Sequence, residues 1–139
     1  MNFSIDKCSF IKFPKISDPR GNLSFIQEDH CEFNIKRVYY LFDIPFKASR
    51  GGHSHKNLFQ IIIAISGSFV VLLDDGKQKK EIMVSDPTKG LLITPWIWRE
   101  LKNFSSNAVC LVLASEKFDE DDYIRDYSEF KKLKIIHDS

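Results

Sequence analysis

Short runs of apolar residues, each ended by a turn signal, make up most of this chain. The runs are rich in β-branched and aromatic side chains, and several alternate with polar residues, as strands do. They cover residues 9–13, 23–28, 35–42, 58–65, 68–73, 79–84, 90–94 and 108–115. The Asp74-Asp75-Gly76 turn is a strong hairpin signal, because Asp and Gly tolerate the positive φ of a tight turn. The pattern predicts an all-β fold, an antiparallel sandwich or barrel.

The tail of the chain has a different periodicity. An acidic start at residue 119 is followed by Tyr123, Tyr127, Phe130 and Leu133, which recur at helical spacing. We therefore predict a short amphipathic C-terminal helix over residues 119–133, whose aromatic stripe packs against the barrel.

Length and composition place the chain among ordinary globular domains. With 139 residues, 43% hydrophobic and 28% charged, it is expected to form one domain over residues 1–139. The net charge of +1 offers no field for nucleic acid or an anionic membrane, and the longest apolar run, 61–65, is too short to span a bilayer. Three cysteines without CxxC spacing and the absence of a signal-peptide core predict free thiols in the cytoplasm.

Two histidines precede the most apolar run, in the segment Gly51-Gly52-His53-Ser54-His55-Lys56. Residues i and i+2 of a strand point to the same face, so we expect both imidazoles at the entrance of the strand over residues 58–65. Taken alone, the pair is compatible with a metal site, with proton-transfer chemistry, or with two surface histidines.

The residues around this pair resemble the cupins, which are small β-barrels. His53 and His55 are followed by Gln60 and Gly67 at the spacing of the first cupin motif, and the second motif is partly present as Gly90, Pro95 and Asn103. The resemblance implies a cupin-type antiparallel jelly-roll barrel.

The departures from the cupin pattern concern the metal ligands. The glutamate position holds Gln60, a poor substitute for a carboxylate ligand, and the second motif's histidine position is occupied by Arg99, a permanent cation. We therefore expect no metal and no cofactor, which leaves the two histidines available for acid–base chemistry.

Several arginines near these motifs suggest an anionic ligand. Arginine pairs bidentately with phosphate oxygens, and a nearby aromatic ring can stack on a base or a sugar. Arg37 is the most informative, because strand alternation sends Arg37 and Tyr39 together to the barrel interior. The other candidates are Arg20, Arg50 and Arg99, with Trp98 for stacking.

A narrower resemblance, covering roughly residues 18–130, is to the sugar 3,4-ketoisomerases. It is carried by Asp18-Pro19-Arg20-Gly21-Asn22-Leu23, Ile35-Lys36-Arg37-Val38-Tyr39-Tyr40, the histidine segment, Leu72-Leu73-Asp74-Asp75-Gly76, Trp98 with Phe104-Ser105-Ser106, and Val112 to Ser115 running to Asp122-Tyr123-Ile124-Arg125-Asp126-Tyr127. It implies an isomerase of deoxyamino-sugar biosynthesis that moves the keto group of dTDP-4-keto-6-deoxyglucose from C4 to C3 through an enediol. One departure is Arg99, where some members have histidine.

The resemblance also suggests roles for individual residues. Our hypothesis is that His55 acts on the carbon-bound proton, that His53 relays protons among the oxygens, and that Tyr39 polarises the enediolate. The resemblance itself does not fix which of the two histidines acts on carbon. The expected substrate-binding residues are Arg20, Arg37, Arg50, Gln60, Trp98 and Arg99. It further implies a homodimer, in which the apolar N-terminal arm, about residues 1–16, is exchanged.

Two other functions fit the sequence less well. One is a 3,5-epimerase of the same 4-keto sugar, and the other is a non-catalytic nucleotide-sugar-binding cupin.

Overall fold

The computed structural model describes residues 2–139, and most of its regular structure is β-strand. The strands are β1 (Phe10–Lys12), β2 (Lys15–Asp18), β3 (Gly21–Ser24), β4 (Arg37–Leu41), β5 (Arg50–His55), β6 (Gln60–Ser66), β7 (Phe69–Asp74), β8 (Lys79–Val84), β9 (Lys89–Ile93), β10 (Trp98–Lys102), β11 (Val109–Ala114) and β12 (Tyr123–Ile124). One α-helix, α1 (Tyr127–Asp138), and short 3₁₀ turns at Ile5–Lys7, Glu28–His30 and Glu120–Asp122 complete the order. None of the helices in residues 2–139 is long and apolar enough to cross a membrane.

Ten of these strands form two five-stranded antiparallel sheets, and β2 and β3 form a separate hairpin. The first sheet has the order β1-β9-β6-β11-β4, and the second has the order β12-β5-β10-β7-β8. Neighbours in each sheet are far apart in sequence, as in a jelly roll, while β7 and β8 form the hairpin predicted from Asp74-Asp75-Gly76. The all-β antiparallel fold predicted from the sequence is confirmed.

Strand β6 is apolar on both faces because both faces are covered. Ile62 and Ala64 belong to the core between the sheets, together with Phe69, whereas Ile61 and Ile63 pack on the other side with Phe13. Burying both faces explains why this run does not alternate.

The N-terminal arm packs on its own barrel. Strand β1 pairs with β9 of the same chain, and Ile5 and Phe13 are each buried in one of the core clusters of this chain. Exchange of the arm is therefore not needed to bury these side chains, and it stays a prediction.

The two histidines do not lie where the pattern placed them. Both lie near the end of a separate strand, β5, which belongs to the second sheet. Strand β6 belongs to the first sheet and begins five residues after His55. The expected position at the entrance of a strand over 58–65 was wrong because Lys56 and Asn57 turn the chain from one sheet to the other. Asp122 stabilises that turn, because its backbone carbonyl accepts from the Lys56 N–H and its carboxylate accepts from the Asn57 N–H.

The C-terminal helix begins later than predicted, at Tyr127 instead of residue 119. The carboxylate of Asp126 caps it by accepting from the Glu129 N–H at 2.9 Å. Residues 119–126 instead form a 3₁₀ turn and β12, which pairs with β5. Tyr123 consequently lies opposite His55 and is not part of the helical stripe.

Candidate active site

A cavity of about 330 Å³ lies between the two sheets, a size found in small-molecule sites. Its wall contains the predicted site residues Arg37, Tyr39, Arg50, His53, Gln60 and Arg99, together with Leu41, Gly51, Ile62, Leu101, Val112, Tyr123 and Arg125. His55 lies next to this wall, with its ring centroid 4.8 Å from that of His53. The strands β4, β5, β6 and β10 thus bring most of the predicted residues together.

A chain of hydrogen bonds crosses the cavity from β10 to β4. Arg99 Nη1 donates to Gln60 Oε1 at 2.7 Å, and Gln60 Nε2 donates to Tyr39 Oη at 3.0 Å. Arg99 is only 1% exposed and also donates to the carbonyls of Ile97 and Thr94. Burial lowers the pKa of Arg99 to about 10, so the guanidinium is still protonated at neutral pH.

Tyr39 is held as a hydrogen-bond donor toward the cavity. Because its oxygen accepts from Gln60, the phenolic hydrogen is available to another acceptor. Burial raises the pKa of Tyr39, which keeps the phenol protonated at neutral pH.

Both histidines are kept neutral. Burial, followed by the positive charge of Arg99, lowers the pKa of His53 to about 4 and lowers the pKa of His55 further. His53 Nδ1 donates to the Gly51 carbonyl at 2.8 Å, so its Nε2 carries the lone pair. His55 Nδ1 lies 3.1 Å from Asp122 Oδ2, and its Nε2 is buried without a partner among the residues that the structure describes.

The positive charge at the cavity comes from three further arginines. Arg37 stacks over Tyr39 at 5.2 Å, and its Nε and Nη2 atoms are buried without a hydrogen-bond partner in the described part of the chain. Arg50 is exposed at the start of β5. Arg125, by contrast, is paired with both carboxylate oxygens of Glu120.

Two predicted residues lie away from the cavity. Trp98 was proposed to stack on the substrate, but it is 6% exposed and packs against Ile124 and Phe130 beneath α1. It points away because Arg99, the next residue on β10, points inward. Arg20 lies at the tip of the β2–β3 hairpin, where its side chain is exposed and pairs with Asp18. Within one chain it does not reach the cavity.

The sequence interpretation missed Asp122, Tyr123 and Arg125 as site residues. The Tyr123 ring is 4.2 Å from the His55 ring and 5.1 Å from the His53 ring, and Arg125 stacks over it at 4.1 Å. The three residues lie in Asp122-Tyr123-Ile124-Arg125, for which the sequence pattern predicts a helix. The resemblance to the ketoisomerases, which includes this segment, was the only signal that could have singled them out.

A second, larger cavity of about 830 Å³ shares Tyr123 with the first. Its wall includes His55, Asp122, Phe118 and the ion pair of Lys36 with Glu116. His53 thus lines the first cavity, and His55 lines the second.

Comparison with known proteins agrees with this geometry. The family model described as FdtA: WxcM-like, C-terminal matches residues 6–135. The chain belongs to this family. A curated relative, TDP-4-oxo-6-deoxy-alpha-D-glucose-3,4-oxoisomerase of Aneurinibacillus thermoaerophilus, is 48% identical over 123 residues, which are 88% of each protein.

Solved structures of family members superpose closely. QdtA, a sugar 3,4-ketoisomerase from Thermoanaerobacterium thermosaccharolyticum crystallised with TDP, is 39% identical, with a TM-score of 0.93 over 96% of this chain and 98% of its own. WlaRA, a TDP-fucose-3,4-ketoisomerase from Campylobacter jejuni, is 40% identical, with a TM-score of 0.87 over 92% and 96%. A histidine-to-asparagine variant of QdtA has been crystallised with TDP-4-keto-6-deoxyglucose.

These relatives confirm the prediction of a sugar-nucleotide 3,4-ketoisomerase. A dTDP-4-dehydrorhamnose 3,5-epimerase from Bacillus anthracis, the activity weighed as an alternative, is only 13% identical, with a TM-score of 0.75. That likeness is one of fold.

Proposed function

We propose that the cavity between the sheets isomerises a TDP-linked 4-keto-6-deoxyglucose to its 3-keto isomer, using the side chains that surround it. The observation that carries the proposal is the pair of neutral imidazoles packed against each other beside a buried, cationic wall. A neutral imidazole can accept a proton from carbon, and the second imidazole can exchange protons with the substrate oxygens.

The reaction needs four proton movements and no net redox change. A base removes the proton from C3, the C–H electrons form the C3–C4 double bond, and the carbonyl electrons move to O4, which takes up a proton. The resulting enediol is then protonated at C4 while the hydroxyl on C3 loses its proton and becomes the ketone. We assign the carbon-bound proton to His55 and the exchange between the two oxygens to His53.

The enediolate is stabilised by groups that are already oriented. The free phenolic hydrogen of Tyr39 can donate to the developing oxyanion, and the buried charge of Arg99 lies one hydrogen-bonded residue away, beyond Gln60. Preorganised donors of this kind need no rearrangement when the charge develops.

The diphosphate requires permanent cations, and Arg37 has the strongest claim. Its Nε and Nη2 atoms have no partner within residues 2–139, and burying unpaired guanidinium donors is costly unless a ligand uses them. Arg50, at the rim of the same cavity, is the second candidate. The QdtA complexes with TDP and with the TDP-linked keto sugar support a ligand of this class.

The decisive experiment is turnover of TDP-4-keto-6-deoxyglucose in deuterated water, followed by NMR of the sugar. A ketone at C3 with deuterium at C4 is the expected product. Deuterium at C3 and C5, with the ketone still at C4, would indicate a 3,5-epimerase. Tight binding without conversion or exchange would contradict both activities and support a binding protein.

We also propose that the chain is a homodimer, in which the β2–β3 hairpin contacts the second copy. Ile16 and Leu23 are cross-strand partners on this hairpin and are each more than half exposed, which is unusual for adjacent large apolar side chains. The outer face of the edge strand β4 exposes Val38 and Tyr40 in the same way. A hairpin that reached a second copy would also carry Arg20 toward that copy's site.

Sedimentation of a double variant, Ile16→Lys with Leu23→Lys, tests the dimer. We expect monomers from this variant and dimers from Met83→Lys, a matched control on the exposed face of β8. A wild-type protein that is monomeric at micromolar concentration would refute the dimer.

A further inference from the structure

Asp122 connects the catalytic strand to the turn that follows it. It is the last residue of the 3₁₀ turn Glu120–Asp122, directly before β12, and it is 8% exposed. One carboxylate oxygen, Oδ1, accepts the Asn57 N–H at 2.7 Å, while the other, Oδ2, lies 3.1 Å from His55 Nδ1. The two oxygens therefore have separate partners.

This contact determines which nitrogen of His55 can act as a base. An ionised carboxylate only accepts hydrogen bonds, so the proton between the two groups belongs to Nδ1. The lone pair of the neutral ring is then on Nε2, the nitrogen that is buried without a partner in the protein. A base needs a lone pair at the nitrogen that meets the substrate.

Asp122 also bears on the charged form of the ring. When His55 takes a proton it becomes a cation, which burial and the nearby charge of Arg99 both oppose. Asp122 is the only carboxylate that contacts the ring within the described residues, and it lies on the side away from Nε2. It can therefore offset the new charge without competing for the proton.

We propose that Asp122 is a positioning residue of the isomerase reaction, which holds His55 in the Nδ1–H tautomer and stabilises the imidazolium formed during proton transfer. This proposal rests on the proposed function, because it assigns His55 as the base. It adds to the site a residue that touches no substrate.

Asp122→Asn separates this role from stabilisation of the turn. The amide oxygen can still accept the Asn57 N–H, but the NH₂ group then faces His55 Nδ1 and donates to it, which moves the ring proton to Nε2. We expect kcat to fall by about 10²- to 10⁴-fold while KM and TDP affinity stay within about threefold of wild type. Asp121→Asn is the matched control, since Asp121 is exposed and only its backbone atoms make hydrogen bonds to other described residues. It should behave as wild type.

The tautomer itself is measured by NMR of protein labelled with ¹⁵N at histidine, through the couplings of the ring nitrogens to the ring protons. We expect His55 as Nδ1–H in the wild type and as Nε2–H in Asp122→Asn. This readout needs neither turnover nor substrate, so it tests Asp122 even if the wild type fails to isomerise the sugar. An Nε2–H tautomer in the wild type, or a kcat of Asp122→Asn within threefold of wild type, would overturn the proposal.

Asp122→Glu supplies a rescue. It keeps the carboxylate but lengthens the side chain, so we expect the Nδ1–H tautomer and a kcat at least tenfold above that of Asp122→Asn, by the same tautomer argument. Equal loss in both variants would indicate that Asp122 acts only on the turn.

Discussion

Gln60 and Arg99 are joined across the barrel by a hydrogen bond of 2.7 Å, from a strand of one sheet to a strand of the other. In a metal-binding cupin these two positions of the motifs would carry a glutamate and a histidine. Here the buried guanidinium of Arg99 donates to the amide oxygen of Gln60, and the amide NH₂ group of Gln60 donates in turn to the hydroxyl oxygen of Tyr39. Gln60, which stands at the position of a metal ligand in the cupin motif, thus orients the hydroxyl group of Tyr39.

Turnover is expected to be insensitive to chelators. After prolonged dialysis against EDTA, kcat and KM for the TDP-linked 4-keto sugar should match those of untreated protein, because Arg99 would repel a divalent ion at this point. Adding back zinc, manganese or iron should give no increase. Activity that is lost with EDTA and restored by one metal would show that the histidine pair binds that metal.

Replacing His55 should abolish chemistry but not nucleotide binding. We expect His55→Asn to lower kcat by about 10³-fold or more, since it removes the proposed base, while TDP binds with unchanged affinity in calorimetry. His137→Asn, a histidine on α1 that stacks on Trp96, is the control and should turn over normally. If His53→Asn stops the reaction and His55→Asn does not, His53 is the base that acts on carbon and His55 exchanges protons with the oxygens.

Acid should destabilise the protein through His53. Its pKa is about 4 in the folded state and ordinarily 6.5, so between these values the unfolded chain binds more protons and folding stability falls as the pH falls. From about pH 7 to pH 5 this group alone should cost about 2 kcal/mol. Urea denaturation at a fixed protein concentration should therefore show a smaller acid loss in His53→Asn than in wild type. Equal losses in the two proteins would contradict the lowered pKa.

Trp98 should prove to be a structural residue. Trp98→Phe is expected to lower the free energy of unfolding by about 1–3 kcal/mol, because the ring fills the space between Ile124 and Phe130. KM for the sugar nucleotide should not change. Phe130→Leu, in the same cluster, should give the same pattern. A higher KM of Trp98→Phe with an unchanged free energy of unfolding would instead indicate that Trp98 stacks on the substrate.

The sequence predicted the cavity wall well wherever strand alternation decided the side-chain direction. Arg37 and Tyr39 face inward together because they are two residues apart on β4. The same rule excludes Trp98 once Arg99 is known to point inward, since neighbours on a strand face opposite sides. Applying it to β10 required knowing that residues 98–102 form a strand, and no apolar run marked them.

The C-terminal part of the site could not be predicted from periodicity. Strand β12 has two residues, too few to show alternation, and its acidic approach is also typical of a helix start. Arg20 illustrates a different limit. Its segment matches the family motif, but it lies on an exposed hairpin away from the cavity of its own chain. Arg20 could line a cavity only in a second copy of the chain, and the sequence of one chain does not show how two copies pack.

Strand β12 has a consequence for the order in which the protein can be assembled. The carboxylate and the tyrosine that complete the histidine strand are Asp122 and Tyr123, and Asp122 follows His55 by 67 residues in the sequence. During synthesis from the N-terminus, strand β5 emerges long before the segment that closes its free edge. The strands that precede residue 115 can therefore pair first, but the proton-transfer centre is finished only after residues 122 and 123 have emerged from the ribosome.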